Sequence, residues 1–146
     1  MNKDIEQFLQ GHRIAVLGAS QTGKKMGNTI VENLEEKGYE VFMVHPTAKE
    51  IGDKPCASSL IELQGKVDGV VFCIPPERGL KAVQDAADAG ITRLWLQQGS
   101  QSPELLAKAY ALGMTVVANK CIMMYSEPVK SIHKFHQTIN KLFGQY

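Results

Sequence analysis

The chain has 146 residues, 44% of them apolar and 21% charged, with a formal net charge of +1. This is the size and composition of one globular domain that can bury its own core. A charge so near zero excludes bulk attraction to nucleic acid or to an anionic membrane, and no apolar run approaches the roughly 20 residues of a membrane span.

The opening "MNKDIEQFLQ" carries two acids and lacks a small-residue cleavage site, so it does not read as a secretory signal. In that stretch Ile5, Phe8 and Leu9 share one helical face, predicting a short lead-in helix ended by Gly11. "RIAVLG" reads as a buried parallel strand. A helix is expected over 27–37, with Ile30, Val31 and Leu34 on one face and Gly38 closing it. "YEVFMV" is the second strand, stopped at His45-Pro46. "TAKEIGDKPCAS" reads as an irregular loop by its Gly and Pro, followed by a helical turn around 60–63.

"VDGVVFCI" is the third strand, and "PPE" opens a helix that stops at Gly90, with proline where a missing N–H costs little. "RLWLQ" is the fourth strand. Ser102 as N-cap and Pro103 behind it begin the next helix, which Gly113 stops. "MTVVA" is the fifth strand. A last amphipathic helix is expected over 128–143, carrying Val129, Ile132, Phe135, Ile139 and Leu142 on one face.

Strands alternating with helices predict an α/β fold: a doubly wound, five-stranded parallel sheet in a single three-layer α/β/α domain, with right-handed crossovers. Ligands on such sheets bind beyond the carboxyl ends of the strands, where strand order reverses. The segments at that edge are 18–26, 45–50, 75–77, 97–102 and 118–121.

The first of these holds Gly18, Ser20, Gly23 and Gly27 with Lys24 and Lys25 between them. Glycines allow close backbone approach to an anion, and the following helix presents unpaired N–H groups to it. The plainer reading is a strand-to-helix turn with solvated lysines. No Asp or Glu stands at the end of the second strand to hold a ribose, and the spacing is not G-x-G-x-x-G. Both features count against NAD; Lys49, just beyond, suits an extra phosphate and leaves NADP open.

No catalytic constellation emerges. Cys56, Cys73 and Cys121 form no C-x-x-C, and a sparse, odd count fits free thiols in a reducing compartment, so a cytoplasmic location is expected. His133 and His136 stand at i, i+3 with no third ligand beside them, which reads as a helix surface and not a metal site. Lys25 occupies the place where a Walker loop needs Ser or Thr. Trp95 and Cys73 read as buried in their strands, and Met123 and Met124 as packing residues.

Taken together, "VLGAS", "GYEVFMVHPTAKEIGDKPCASSL", "VDGVVFCIPPE", "LWLQQGSQSPE" and "VVANKCIMMY" resemble the small stand-alone CoA-binding proteins, themselves similar to the CoA-binding domain of the succinyl-CoA synthetase α subunit. The resemblance covers residues 8–146 and implies a Rossmann-like fold with coenzyme A along the edge described above. It assigns Gly18, Ala19 and Ser20 to the diphosphate with Lys25 in support. His45 and Pro46, where the family commonly has Asn-Pro, would border the adenosine, and Lys49 would face a phosphate there. Ile74, Pro75 and Pro76 would wall the adenine or ribose. Gln98 and Gly99 would touch the pantetheine arm, and Asn119, Lys120 and Cys121 its far end. The synthetase's phosphorylated histidine lies in a domain that this chain lacks.

The expectation is a protein that binds coenzyme A or an acyl-CoA as a non-catalytic carrier, sensor or accessory. It has a small-molecule ligand and neither nucleic acid nor membrane as partner, and its oligomeric state is open. A small NADP-binding oxidoreductase or redox sensor is the alternative, and a pure interaction module with a vestigial pocket is a third reading.

Overall fold

The computed structural model describes residues 2–129. In chain order the elements are α1 (Lys3–Gln10), β1 (Arg13–Leu17), α2 (Met26–Glu36), β2 (Glu40–Val44), β3 (Glu50–Ile51) and β4 (Lys54–Ala57). A 3₁₀ turn (Leu60–Leu63) leads to β5 (Gly69–Phe72), α3 (Pro76–Asp88), β6 (Arg93–Leu96), α4 (Pro103–Ala111), β7 (Thr115–Ala118) and a second 3₁₀ turn (Ile122–Met124). The sheet order is β3-β4-β2-β1-β5-β6-β7. The five expected strands all form and pair in parallel.

The sheet has seven strands instead of five. The stretch read as an irregular loop holds a hairpin, in which β3 runs antiparallel to β4 and β4 extends the sheet beside β2. Gly52 supplies the positive φ of +63° that this two-residue connection needs. Of the helix expected over 128–143, Pro128 and Val129 are not helical, and the Val129 N–H donates to the Lys37 carbonyl at 2.7 Å. The remainder, with His133 and His136, lies outside the described residues.

Alternation along the strands sends side chains to two cores. Ala15, Leu17, Val70, Phe72, Leu94 and Leu96 face α3, α4 and the first 3₁₀ turn. Ile14, Val16, Val71, Trp95 and Val117 face α1, α2 and the second 3₁₀ turn. The Ser102 cap forms as expected, its Oγ accepting the Leu105 N–H at 3.1 Å. Among the described residues no helix is long and apolar enough to cross a membrane.

Trp95 anchors the second core. It is fully buried, its Nε1 donates to the Lys120 carbonyl at 2.8 Å, and Phe8 meets it edge-on at 5.4 Å. Gly69 lets that Phe8 ring lie against the sheet, since a Cβ there would come within 2.7 Å of the ring. Phe8→Ala should therefore cost about 3–5 kcal/mol in urea denaturation, the usual loss for a buried aromatic truncated to Ala. A loss below about 1 kcal/mol would show that α1 adds little to the core.

Candidate functional site

The strand register sets the site. Leu17 pairs with Val44 and with Phe72, Phe72 with Leu96, and Leu96 with Ala118. All five parallel strands end on one line, so Gly18, His45, Cys73, Gln97 and Asn119 are the first residues beyond it. The chain passes from β1 to β2 on one side and then returns to β5 on the other. That reversal opens a crevice between β1 and β5.

The loop from Gly18 to Lys25 is held from within by Asn28, in the first turn of α2. Its Oδ1 accepts the N–H groups of Ser20 at 2.9 Å and Lys25 at 3.2 Å, and its Nδ2 donates to the Ser20 carbonyl at 3.0 Å. The Ser20 and Thr22 hydroxyls bond each other at 2.7 Å. The N–H groups of Ala19, Met26 and Gly27 are left without a partner among the described residues. They lie at a helix N-terminus, where backbone donors and the macrodipole both favour an anion. Ser20 was expected to serve the anion too, but its N–H is already taken, so only its hydroxyl can contribute.

Two glycines make this geometry feasible. Gly18 has φ +110°, and a Cβ on it would fall 2.3 Å from the Cys73 carbonyl oxygen. A Cβ on Gly27 would fall 2.6 to 2.7 Å from the Gly18 carbonyl carbon and oxygen and the Ala19 nitrogen. Only a helix with glycine in its first turn can bring its first N–H groups this close to the strand end.

The loop opens on a cleft with two lobes. The larger, of about 830 Å³, runs from Gly18, Ala19, Ser20 and Lys25 past His45, Pro46, Ile74 and Pro75 to α3 and the first 3₁₀ turn. The smaller, of about 330 Å³, is lined by Ile74, Pro75 and Pro76 and by Gln98 and Gly99 of the β6–α4 loop. Cys73, Ile74, Pro75 and Glu77 border both lobes. Eleven of the fifteen sequence-predicted site residues thus meet on one continuous cleft.

The other four do not line it. Lys49 is exposed beside the buried Ala48, at the foot of the hairpin. Asn119 adopts φ +61° and turns the chain back under β6. Lys120 gives its carbonyl to Trp95 and its ammonium to the Tyr125 ring, 5.7 Å from the centroid. The buried Gln97 holds the next two residues, with Nε2 3.4 Å from Cys121 Sγ and Oε1 accepting the Ile122 N–H at 2.8 Å. Met123 packs on the second core as expected, but Met124 is 82% exposed, pointing away from it.

Sequence reading missed Asn28, the Ser58-Ser59 pair, and Arg78 and Lys81 on α3. The three-residue spacing from Pro75 through Arg78 to Lys81 was the available signal for the last two. Lys81 is paired with Asp85 at 3.1 Å, and Ser58 donates to Glu62 at 2.6 Å, holding that carboxyl below its ordinary range. His45 Nδ1 accepts the N–H groups of Thr47 at 3.2 Å and Ala48 at 2.9 Å, as an asparagine carbonyl would in an Asx turn. Cys73 is half-buried on the cleft instead of being sealed in its strand. Burial, with Cys121 adding to it, pushes its thiol up to about 12.

Two measurements check this site. Gly27→Ala places a Cβ against backbone on all sides, so a loss of roughly 1–3 kcal/mol is expected despite the better helix propensity of Ala; a more stable variant would overturn the close approach. Cys73 should carry only about one thiolate in 10⁴ at pH 8. Its alkylation by iodoacetamide should be slow there and still rising above pH 10, whereas a plateau near pH 9 would contradict a raised thiol.

A family model described as "CoA binding domain" matches residues 12–127. The acetate–CoA ligase (ADP-forming) I of Archaeoglobus fulgidus is 28% identical over 135 residues, which is 86% of this chain and 20% of that protein. This chain therefore spans about a fifth of the ligase's length. YneT of Bacillus subtilis, an uncharacterised protein, is 28% identical over 120 residues, covering 82% of this chain and 89% of that one. A conserved hypothetical protein of Pyrococcus furiosus has a solved structure that superposes with a TM-score of 0.74 at 38% identity, over 77% of this chain and 97% of that one. None of these findings supports an NADP oxidoreductase. With its fold and most of its described length matched, the chain belongs to the CoA-binding domain family.

Proposed function

We propose that the protein binds coenzyme A or an acyl-CoA along the two-lobed cleft, as a carrier, sensor or accessory without catalysis of its own. The observation that carries this reading is the loop held by Asn28, which borders both lobes, Ala19 lining the larger and Met26 the smaller. A diphosphate on Ala19, Met26 and Gly27, with Lys25 beside it, leaves one arm of the ligand for each lobe. The larger lobe, walled by Leu17, Val44, Leu60, Ile74 and Ala82, suits an adenosine. The smaller one, with Gln98 and Gly99 among its lining residues, suits the extended amide chain of pantetheine. The larger lobe alone falls within the roughly 300–1,000 Å³ usual for small-molecule sites.

Calorimetric titration with CoA, NADP and NAD tests the reading. CoA is expected to bind at least about tenfold tighter than either dinucleotide. Ser20→Leu, which fills the mouth of the loop, should weaken CoA by a similar factor while the circular dichroism spectrum stays unchanged. NADP binding as tight as CoA would hand the site to a redox cofactor. Binding of neither would favour an interaction module with an unused cleft.

A further inference from the structure

Resting on the CoA reading, we infer that Arg78 is the residue that recognises the 3′-phosphate of the ligand, a role that sequence position alone would give to Lys49. Arg78 lies in the first turns of α3, its N–H donating to the Pro75 carbonyl at 3.1 Å, and it is exposed on the wall of the larger lobe. The lobe has three cationic side chains: Lys25, Arg78 and Lys81. Lys81 is engaged by Asp85, and Lys25 stands at the loop where the diphosphate is expected. Arg78 has no ion pair or hydrogen-bonded side-chain partner among the described residues.

Its height on the helix fits the ribose. A right-handed crossover starts α3 at the carboxyl edge and carries it down the face of the sheet. Among the α3 residues on this wall, Glu77 and Arg78 therefore stand toward that edge, with Lys81, Ala82 and Asp85 deeper. An adenine set against Leu60, Val44 and Ala82 puts the ribose, and the phosphate on its 3′ oxygen, at the level of Arg78. The guanidinium fork offers two parallel N–H donors to phosphate oxygens. Lys49, exposed at the foot of the hairpin, is not among the residues that line the lobe. The lobe thereby distinguishes a 3′-phosphorylated adenine nucleotide from ADP or dephospho-CoA.

The test is calorimetry of CoA and dephospho-CoA on the full chain and on Arg78→Ala, Arg78→Lys and Lys49→Ala. The wild type should prefer CoA by about tenfold or more, as a charge-assisted contact is worth. Arg78→Ala should lose most of that preference by weakening CoA alone, with dephospho-CoA changing by less than about threefold. Arg78→Lys should keep part of it, and Lys49→Ala all of it. Retention of the full preference in Arg78→Ala, or equal loss of both ligands, overturns the assignment while leaving CoA binding in place. Loss of the preference in Lys49→Ala moves the role to that lysine. A wild type that binds no CoA overturns the ligand reading and this assignment together, so the two failures are told apart by the first titration.

Discussion

The site depends on one buried carboxamide. Asn28 is 7% exposed and spends its acceptor and its donor on a single loop, taking the Ser20 and Lys25 N–H groups and giving a proton to the Ser20 carbonyl. Each of these groups would cost about 1–3 kcal/mol if left buried and unmet. With the inner groups satisfied, the N–H groups of Ala19, Met26 and Gly27 are the ones left unpartnered among the described residues, the feature on which the proposed anion site rests. The glycine contacts depend on the same clamp: Gly27 can lie against Gly18 and Ala19 only while the loop is drawn down onto α2. The crevice between β1 and β5 follows, since Gly18 packs on the Cys73 carbonyl across it.

Most of the fold was legible in the sequence because its elements carry their own boundary signals. Five apolar runs became five parallel strands, and the Ser102-Pro103 start and the Gly90 and Gly113 stops lie where the helices begin and end. The hairpin was not legible for a physical reason. Its strands are two and four residues long and contain Lys54 and Pro55, so no period of two can be seen. Neighbours hold it in place: β4 pairs with β2, and the His45 N–H donates to the Ala57 carbonyl at 2.9 Å. Such contacts are absent from local sequence.

The same distinction separates the site residues found from those missed. Glycines and prolines at strand ends announce themselves because they punctuate the chain. Asn28, inside a helix, reads as a surface residue until its partners are known, and Arg78 and Lys81 read as the wet side of an amphipathic helix until a wall rises opposite them. Lys49 was drawn to the site by its distance in sequence from β2, and the unseen hairpin is what carries it away. Asn119, Lys120 and Cys121 follow a strand that does end at the edge, but the left-handed turn at Asn119 folds them behind Gln97 and Trp95.

The polar groups that line the cleft divide into those spent within the protein and those left free. The polar groups that could exchange a proton are largely engaged inside the protein: the Ser58 hydroxyl with Glu62, the Asp85 carboxylate with Lys81, and His45 Nδ1 with the Thr47 and Ala48 amides. The Cys73 thiol is kept protonated by its burial, so it borders both lobes as a small apolar group and not as a nucleophile. The groups without a side-chain partner among the described residues include the Lys25 ammonium, the Arg78 guanidinium and the Glu77 carboxylate, beside the backbone N–H donors of the loop. Backbone N–H groups, ammonium and guanidinium groups attract and orient phosphates. A cleft so composed suits the polyanionic ligand proposed above, with the Glu77 carboxylate set among its cations and N–H donors.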